Sequence, residues 1–99
     1  MQFIVQYRLK SDIIINPTTE RVFDNTTELR DWIKPRLDNQ NLDGYEWTIL
    51  LDKGGIEGCF TVLHSDYSVD DLLAKMEIIP KYKAWVKPYA TQIRQLLNL

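Results

Sequence analysis

The chain has one cysteine, Cys59, and one histidine, His64, among its 99 residues. An intramolecular disulfide framework is therefore excluded, and a structural zinc site built from Cys and His within one chain is excluded with it. Long apolar runs are also missing. The longest are Ile13-Ile14-Ile15 and Thr48-Ile49-Leu50-Leu51, far below the ~20 residues that cross a bilayer. The first ten residues, MQFIVQYRLK, alternate apolar and polar side chains, so they lack the continuous apolar core and small-residue cleavage site of a secretory signal. A cytoplasmic protein is the expectation, with no membrane association.

What is present points to a folded domain. Hydrophobic residues make up 44% and charged residues 26%, which sets the chain apart from the low-hydrophobicity, high-charge composition of disordered proteins. A chain of this length supports one core, so residues 1–99 are expected to form a single domain, as a monomer or homodimer. Net charge is only −2, but it is unevenly spread. Residues 1–10 carry +2, residues 11–71 carry −8 and residues 72–99 carry +4. Such polarity bears on partners, not on fold.

Hydrophobic periodicity supplies the elements. Met1, Phe3, Val5, Tyr7 and Leu9 recur with period two, the pattern of a half-buried strand. Ile13-Ile14-Ile15 reads as a short second strand ended by Asn16-Pro17, and Arg21-Val22-Phe23 as a third. A helix should start at Asn25 or Thr26, with Glu28 at the positive end of its dipole and Leu29, Trp32, Ile33 and Leu37 on its buried stripe. Pro35 is expected to kink or stop it.

Tyr45, Trp47, Ile49 and Leu51 then alternate on one face, Asp52-Lys53-Gly54-Gly55 turns, and Ile56, Gly58, Phe60 and Val62 alternate back, which predicts a β-hairpin. Ser68 and Asp71 form a near capping box for a helix carrying Val69, Leu72, Leu73 and Met76. Pro80 separates this from a last helix bearing Tyr82, Trp85, Val86, Tyr89, Ile93, Leu96 and Leu97, interrupted by Pro88. The predicted order is β-β-β-α-β-β-α-α: a two-layer α+β domain with an antiparallel sheet of about five strands and helices on one face.

The residues that could carry chemistry do not assemble into a known catalytic pattern. Cys59 and His64 differ by an odd number, so on a regular strand they point to opposite faces, and Cys59 is expected to be a small buried or half-buried apolar residue. His64-Ser65-Asp66 are consecutive and cannot reach the contacts of a serine triad. Gly54-Gly55 and Gly58 lie in a hairpin with no phosphate-loop pattern. Asp70 and Asp71 sit in a first helical turn, where the dipole accounts for them. No enzyme, metal or cofactor is expected.

Two charged regions remain. Asp38, Asp43, Glu46, Asp52, Glu57, Asp66, Asp70 and Asp71 would form an acidic surface if they converge, suited to a basic, nucleic-acid-handling protein partner. Alternatively, Lys81, Lys83, Lys87 and Arg94, interleaved with aromatics, would contact phosphates and make the chain a nucleic-acid-binding protein. The strand-to-helix junction Phe23-Asp24-Asn25-Thr26-Thr27-Glu28-Leu29-Arg30-Asp31-Trp32 resembles junctions in small phage-encoded inhibitor proteins, some anti-CRISPR proteins among them, which are also compact α+β domains. This resemblance covers ten residues and carries over no functional residue. The leading expectation is a non-enzymatic protein-binding module, a small inhibitor or immunity-type protein encoded by a phage or mobile element, that occludes its partner. An uncharacterised structural or interaction domain is the remaining alternative.

Overall fold

The structure, a computed structural model, describes residues 1–11, 15–55, 58–68, 70, 71 and 80–98, with side chains of the last segment described from residue 86 onward. In chain order the elements are β1 (Gln2–Leu9), β2 (Thr19–Phe23), α1 (Thr26–Asp38), β3 (Tyr45–Asp52), β4 (Cys59–His64) and α2 (Pro80–Leu96). The four strands form one antiparallel sheet in the order β2-β1-β3-β4. The fold is thus α+β with four strands among the described residues, where five were expected. Of the expected Ile13-Ile14-Ile15 strand, Ile13 and Ile14 lie outside the described residues, and Ile15 is 92% exposed and belongs to no strand.

The central pair is β1 with β3, in register from Gln2↔Asp52 to Leu9↔Tyr45. Odd positions on both strands face the core: Phe3 and Val5 from β1, and Trp47, Ile49 and Leu51 from β3. The expected stripe on β1 is shorter than its alternation, because Met1 and Leu9 are exposed at its ends. Phe60, Val62 and Leu63 of β4 join the same cluster, as do Leu29 and Ile33 of α1 and Val86, Ala90 and Ile93 of α2, with Leu97 just beyond that helix.

Helix α1 begins as its sequence requires. Asn25 Oδ1 accepts from the Glu28 amide at 2.9 Å, and Glu28 Oε2 accepts from the Asp24 amide at 3.2 Å, so two unpaired donors are satisfied at the helix start. The expected break at Pro35 does not occur; α1 continues to Asp38. An interior proline costs about 3 kcal/mol in its strongest form because it removes a donor and crowds the preceding turn. Here the ring is exposed, the helix ends within one further turn, and Arg36 holds that turn by donating to the Trp32 carbonyl at 2.6 Å with its guanidinium 4.1 Å from the Trp32 ring centre. Pro88 is likewise exposed and contained within α2. Pro80 opens α2, where the missing donor has no helical partner to lose.

The hairpin is present, with its return described from Cys59 and Ile56 lying outside the described residues. Asp52 pairs with Cys59, and between them Gly54 and Gly58 take the left-handed conformation at φ +75° and +67°. Strand β4 is not regular. Ile49 pairs with Leu63 but Leu50 pairs with Thr61, leaving Val62 as an extra residue in a bulge. Consecutive Val62 and Leu63 are both buried as a result. The Ser68 cap is seen, its Oγ accepting from the Asp71 amide at 3.1 Å, while Val69, Leu72, Leu73 and Met76 of the expected helix lie outside the described residues.

Replacing Ile49, fully buried at the sheet centre, by Ala should cost about 2–5 kcal/mol in chemical denaturation, whereas Ile15→Ala should change stability by less than about 0.5 kcal/mol.

Candidate functional site: the open face of the sheet

Even positions of the two central strands point away from the core, and the printed registers arrange them in rows across the sheet. One row reads Val22, Ile4, Leu50, Thr61 from β2 to β4. The next reads Glu20, Gln6, Thr48, His64. On the other side lie Gln2, Asp52 and Cys59, with Gln2 Nε2 donating to Asp24 Oδ1 at 3.1 Å. Among the described residues no element covers this face. Val22 is 51% exposed, and Ile4 and Leu50 are half-buried. The face therefore carries an apolar ridge across β2, β1 and β3, continued by the polar Thr61 on β4 and flanked by Glu20 on one side and by Asp24 and Asp52 on the other.

One end of this face is locked by charge pairs. Arg8 Nη2 lies 3.0 Å from Glu46 Oε2, and Glu46 Oε1 lies 3.2 Å from His64 Nε2. His64 Nδ1 accepts from the Asp66 amide at 3.0 Å, so the neutral ring has its proton on Nε2, donated to Glu46. Lys10 Nζ binds Asp66 Oδ1 at 2.7 Å. Ser65 Oγ accepts from the Trp47 amide at 3.0 Å, and the Ser65 amide donates to the Trp47 carbonyl at 2.9 Å. The hydrogen bond from Arg8 holds the Glu46 carboxyl below its ordinary value of 4.5, and that from Lys10 holds Asp66 below 3.8. A hollow of about 90 Å³ lies beside this network, lined by Gln6, Arg8, Thr18, Glu46 and Thr48.

The bulge corrects the expected separation of Cys59 and His64. Their strand partners are Asp52 and Thr48, both on the open face, so the two side chains share that face instead of pointing apart. Those partners stand four positions apart on β3, roughly 13 Å at strand rise, too far for a thiol–imidazole pair. Cys59 is exposed rather than buried. Partial desolvation, then the Asp52 carboxylate, push its thiol up, away from the reactive thiolate.

The predicted acidic residues are distributed over several places. Glu46 and Asp66 lie at the end of the sheet just described, each already matched to a cation. Asp52 lies six residues along β3 from Glu46 and accepts from the Gly54 amide at 2.8 Å. Asp38, at the end of α1, is paired with Lys34. Asp43 is exposed in the following turn, Asp70 and Asp71 are exposed after Ser68, and Glu57 lies outside the described residues. Sequence reasoning did not single out Glu20 or Asp24, whose place beside the ridge follows only from the β1–β2 register and the Gln2 hydrogen bond.

Of the basic alternative, Lys87 is exposed and Arg94 half-buried on α2, while the side chains of Lys81 and Lys83 lie outside the described set. Arg94 lines a cleft of about 250 Å³ with Trp47, His64 and Tyr67. Trp47 itself is a core residue. Among the described residues no cluster of three metal-ligating side chains occurs, and no helix is long and apolar enough to cross a membrane.

Comparison with known protein families, characterised proteins and solved structures finds no match to this chain.

The lowered Glu46 and Asp66 values fix a pH dependence. A carboxylate whose folded value lies below its unfolded one stabilises the fold above the ordinary range, and that stabilisation is lost as pH falls through the folded value. Melting temperature should therefore drop as pH falls below about 4.5, and Arg8→Met with Lys10→Met should flatten this acid limb. At neutral pH, each substitution should cost under about 1 kcal/mol, the ceiling for exposed pairs.

Proposed function

We propose that the chain is a non-enzymatic protein-binding module, a small inhibitor or immunity-type protein, that occludes a basic, nucleic-acid-handling partner. The observation that carries this reading is the sheet face that no element covers among the described residues: an apolar ridge of exposed Val22 and half-buried Ile4 and Leu50 beside Glu20, Asp24 and Asp52. Contiguous apolar surface rimmed by polar groups marks interaction sites, and surface carboxylates speed encounter with a positively charged partner. Arg8, which shares this face, is matched to Glu46, and Glu20 and Asp24 each accept from a neutral amide, that of Gln6 and of Gln2, at 3.1 Å. Of the expected acidic residues only Asp52 borders this apolar surface; Glu20 and Asp24 are added to it.

The same carboxylates would repel phosphates, so a nucleic-acid ligand would have to use Lys81, Lys83, Lys87 and Arg94 on α2 instead. Affinity for a short duplex or single strand that falls steeply with salt would favour that second reading.

The test is affinity capture with the wild-type chain, a Val22→Lys/Leu50→Lys variant and a Lys87→Glu variant, all checked for folding by thermal melting. One saturable basic protein should be bound by the wild type and by Lys87→Glu, and lost with the double variant. Equal capture by all three, no saturable partner, or selective loss with Lys87→Glu would contradict the reading.

A further inference from the structure

From the layout of the open face we infer the shape of its occupant: a basic amphipathic helix of the partner, lying across the strands on the Val22–Ile4–Leu50 ridge with Lys or Arg side chains reaching the flanking carboxylates. The inference rests on the protein-binding reading above and specifies how the partner is held.

The direction of the ridge is the first argument. Val22, Ile4, Leu50 and Thr61 are cross-strand neighbours, one from each strand, so the apolar line runs perpendicular to the strands. At ~4.8 Å between strands its three apolar members, Val22, Ile4 and Leu50, span about 10 Å. A helix rising 1.5 Å per residue covers that in roughly seven residues, with apolar side chains at i, i+4 and i+7 above the ridge. An added strand would instead run parallel to an edge and align with backbone groups. The β2 edge has only five residues, Thr19–Phe23, and short edges are a poor template for strand addition.

Charge supplies the second argument. The flanking rows stand two residues from the ridge, about 7 Å to either side, within reach of Lys or Arg side chains from a helix ~10 Å wide. Glu20 lies on one side, Asp24 and Asp52 on the other. A second copy of this chain docking face to face would set these carboxylates against their own equivalents, which disfavours a symmetric dimer here. The remaining member of the ridge, Thr61, is half-buried and polar, so the helix is anchored over β2, β1 and β3.

The probe is a synthetic peptide of leucine, lysine and alanine, about four turns long, with leucines at i, i+4 and i+7. Two controls share its composition: one with scrambled leucines, and one with leucine and lysine alternating as in a strand. Amide chemical shifts of the full chain report where each binds. The helical peptide should bind saturably, perturb Val22, Ile4, Leu50 and Thr61, and lose at least about tenfold in affinity with Val22→Lys or Glu20→Lys, while Lys87→Glu leaves it unchanged.

Equal binding of the scrambled peptide, shifts confined to Thr19–Phe23 with the alternating peptide, or no binding of the helical peptide would overturn the inference. If capture of a basic protein still depends on Val22 and Leu50 while the helical peptide fails, the helical occupant is wrong and the binding module stands. If both fail, the module reading falls with it.

Discussion

The pairing of β1 with β3 over eight residue pairs is the constraint on which the other features depend. It places Phe3, Val5, Ile49 and Leu51 on one side, where the helices add Leu29, Ile33, Val86 and Ile93 to a common core. The same register places Ile4 and Leu50 together on the other side, where no described element meets them. A slip of one residue would exchange the two faces. The strength with which the core selects the register therefore also fixes the composition of the open face.

The bulge at Val62 is the second constraint. It lets β4 bury Val62 and Leu63 in succession, and beyond it the strand presents His64 to the open face. There His64 joins Glu46 and Arg8, while Ser65 and Asp66 tie the end of β4 to Trp47 and Lys10. These contacts give the imidazole, the hydroxyl and the carboxylate of His64-Ser65-Asp66 structural partners at the end of the sheet.

Much of the fold was legible because periodicity and capping act locally. The alternation of β1 and β3, the Asn25 cap with Glu28, and the stripe of Leu29 and Ile33 each state their own structure. The features that were not legible depend on tertiary context. Pro35 and Pro88 predict breaks from local sterics, but exposed rings and helices anchored by buried neighbours accommodate them. The Val62 bulge leaves only two adjacent apolar residues in the sequence, a pattern that a regular buried strand also produces. Cys59 reads as a core residue by type, yet lies exposed at the start of an edge strand.

The candidate site was the least legible part, because it is built across strands. The acidic composition was visible, but only registers and pair contacts separate carboxylates already matched to cations, such as Glu46 and Asp66, from Glu20, Asp24 and Asp52 beside apolar surface. Val22 and Ile4 look like ordinary strand residues until their neighbours are known. The central claim is thus a sheet with one buried face and, among the described residues, one open apolar ridge. Hydroxyl-radical footprinting read by mass spectrometry tests it directly: Val22, Ile4 and Leu50 should be oxidised readily while Val5, Ile49 and Leu51 are protected. Equal protection of both sets would contradict the account.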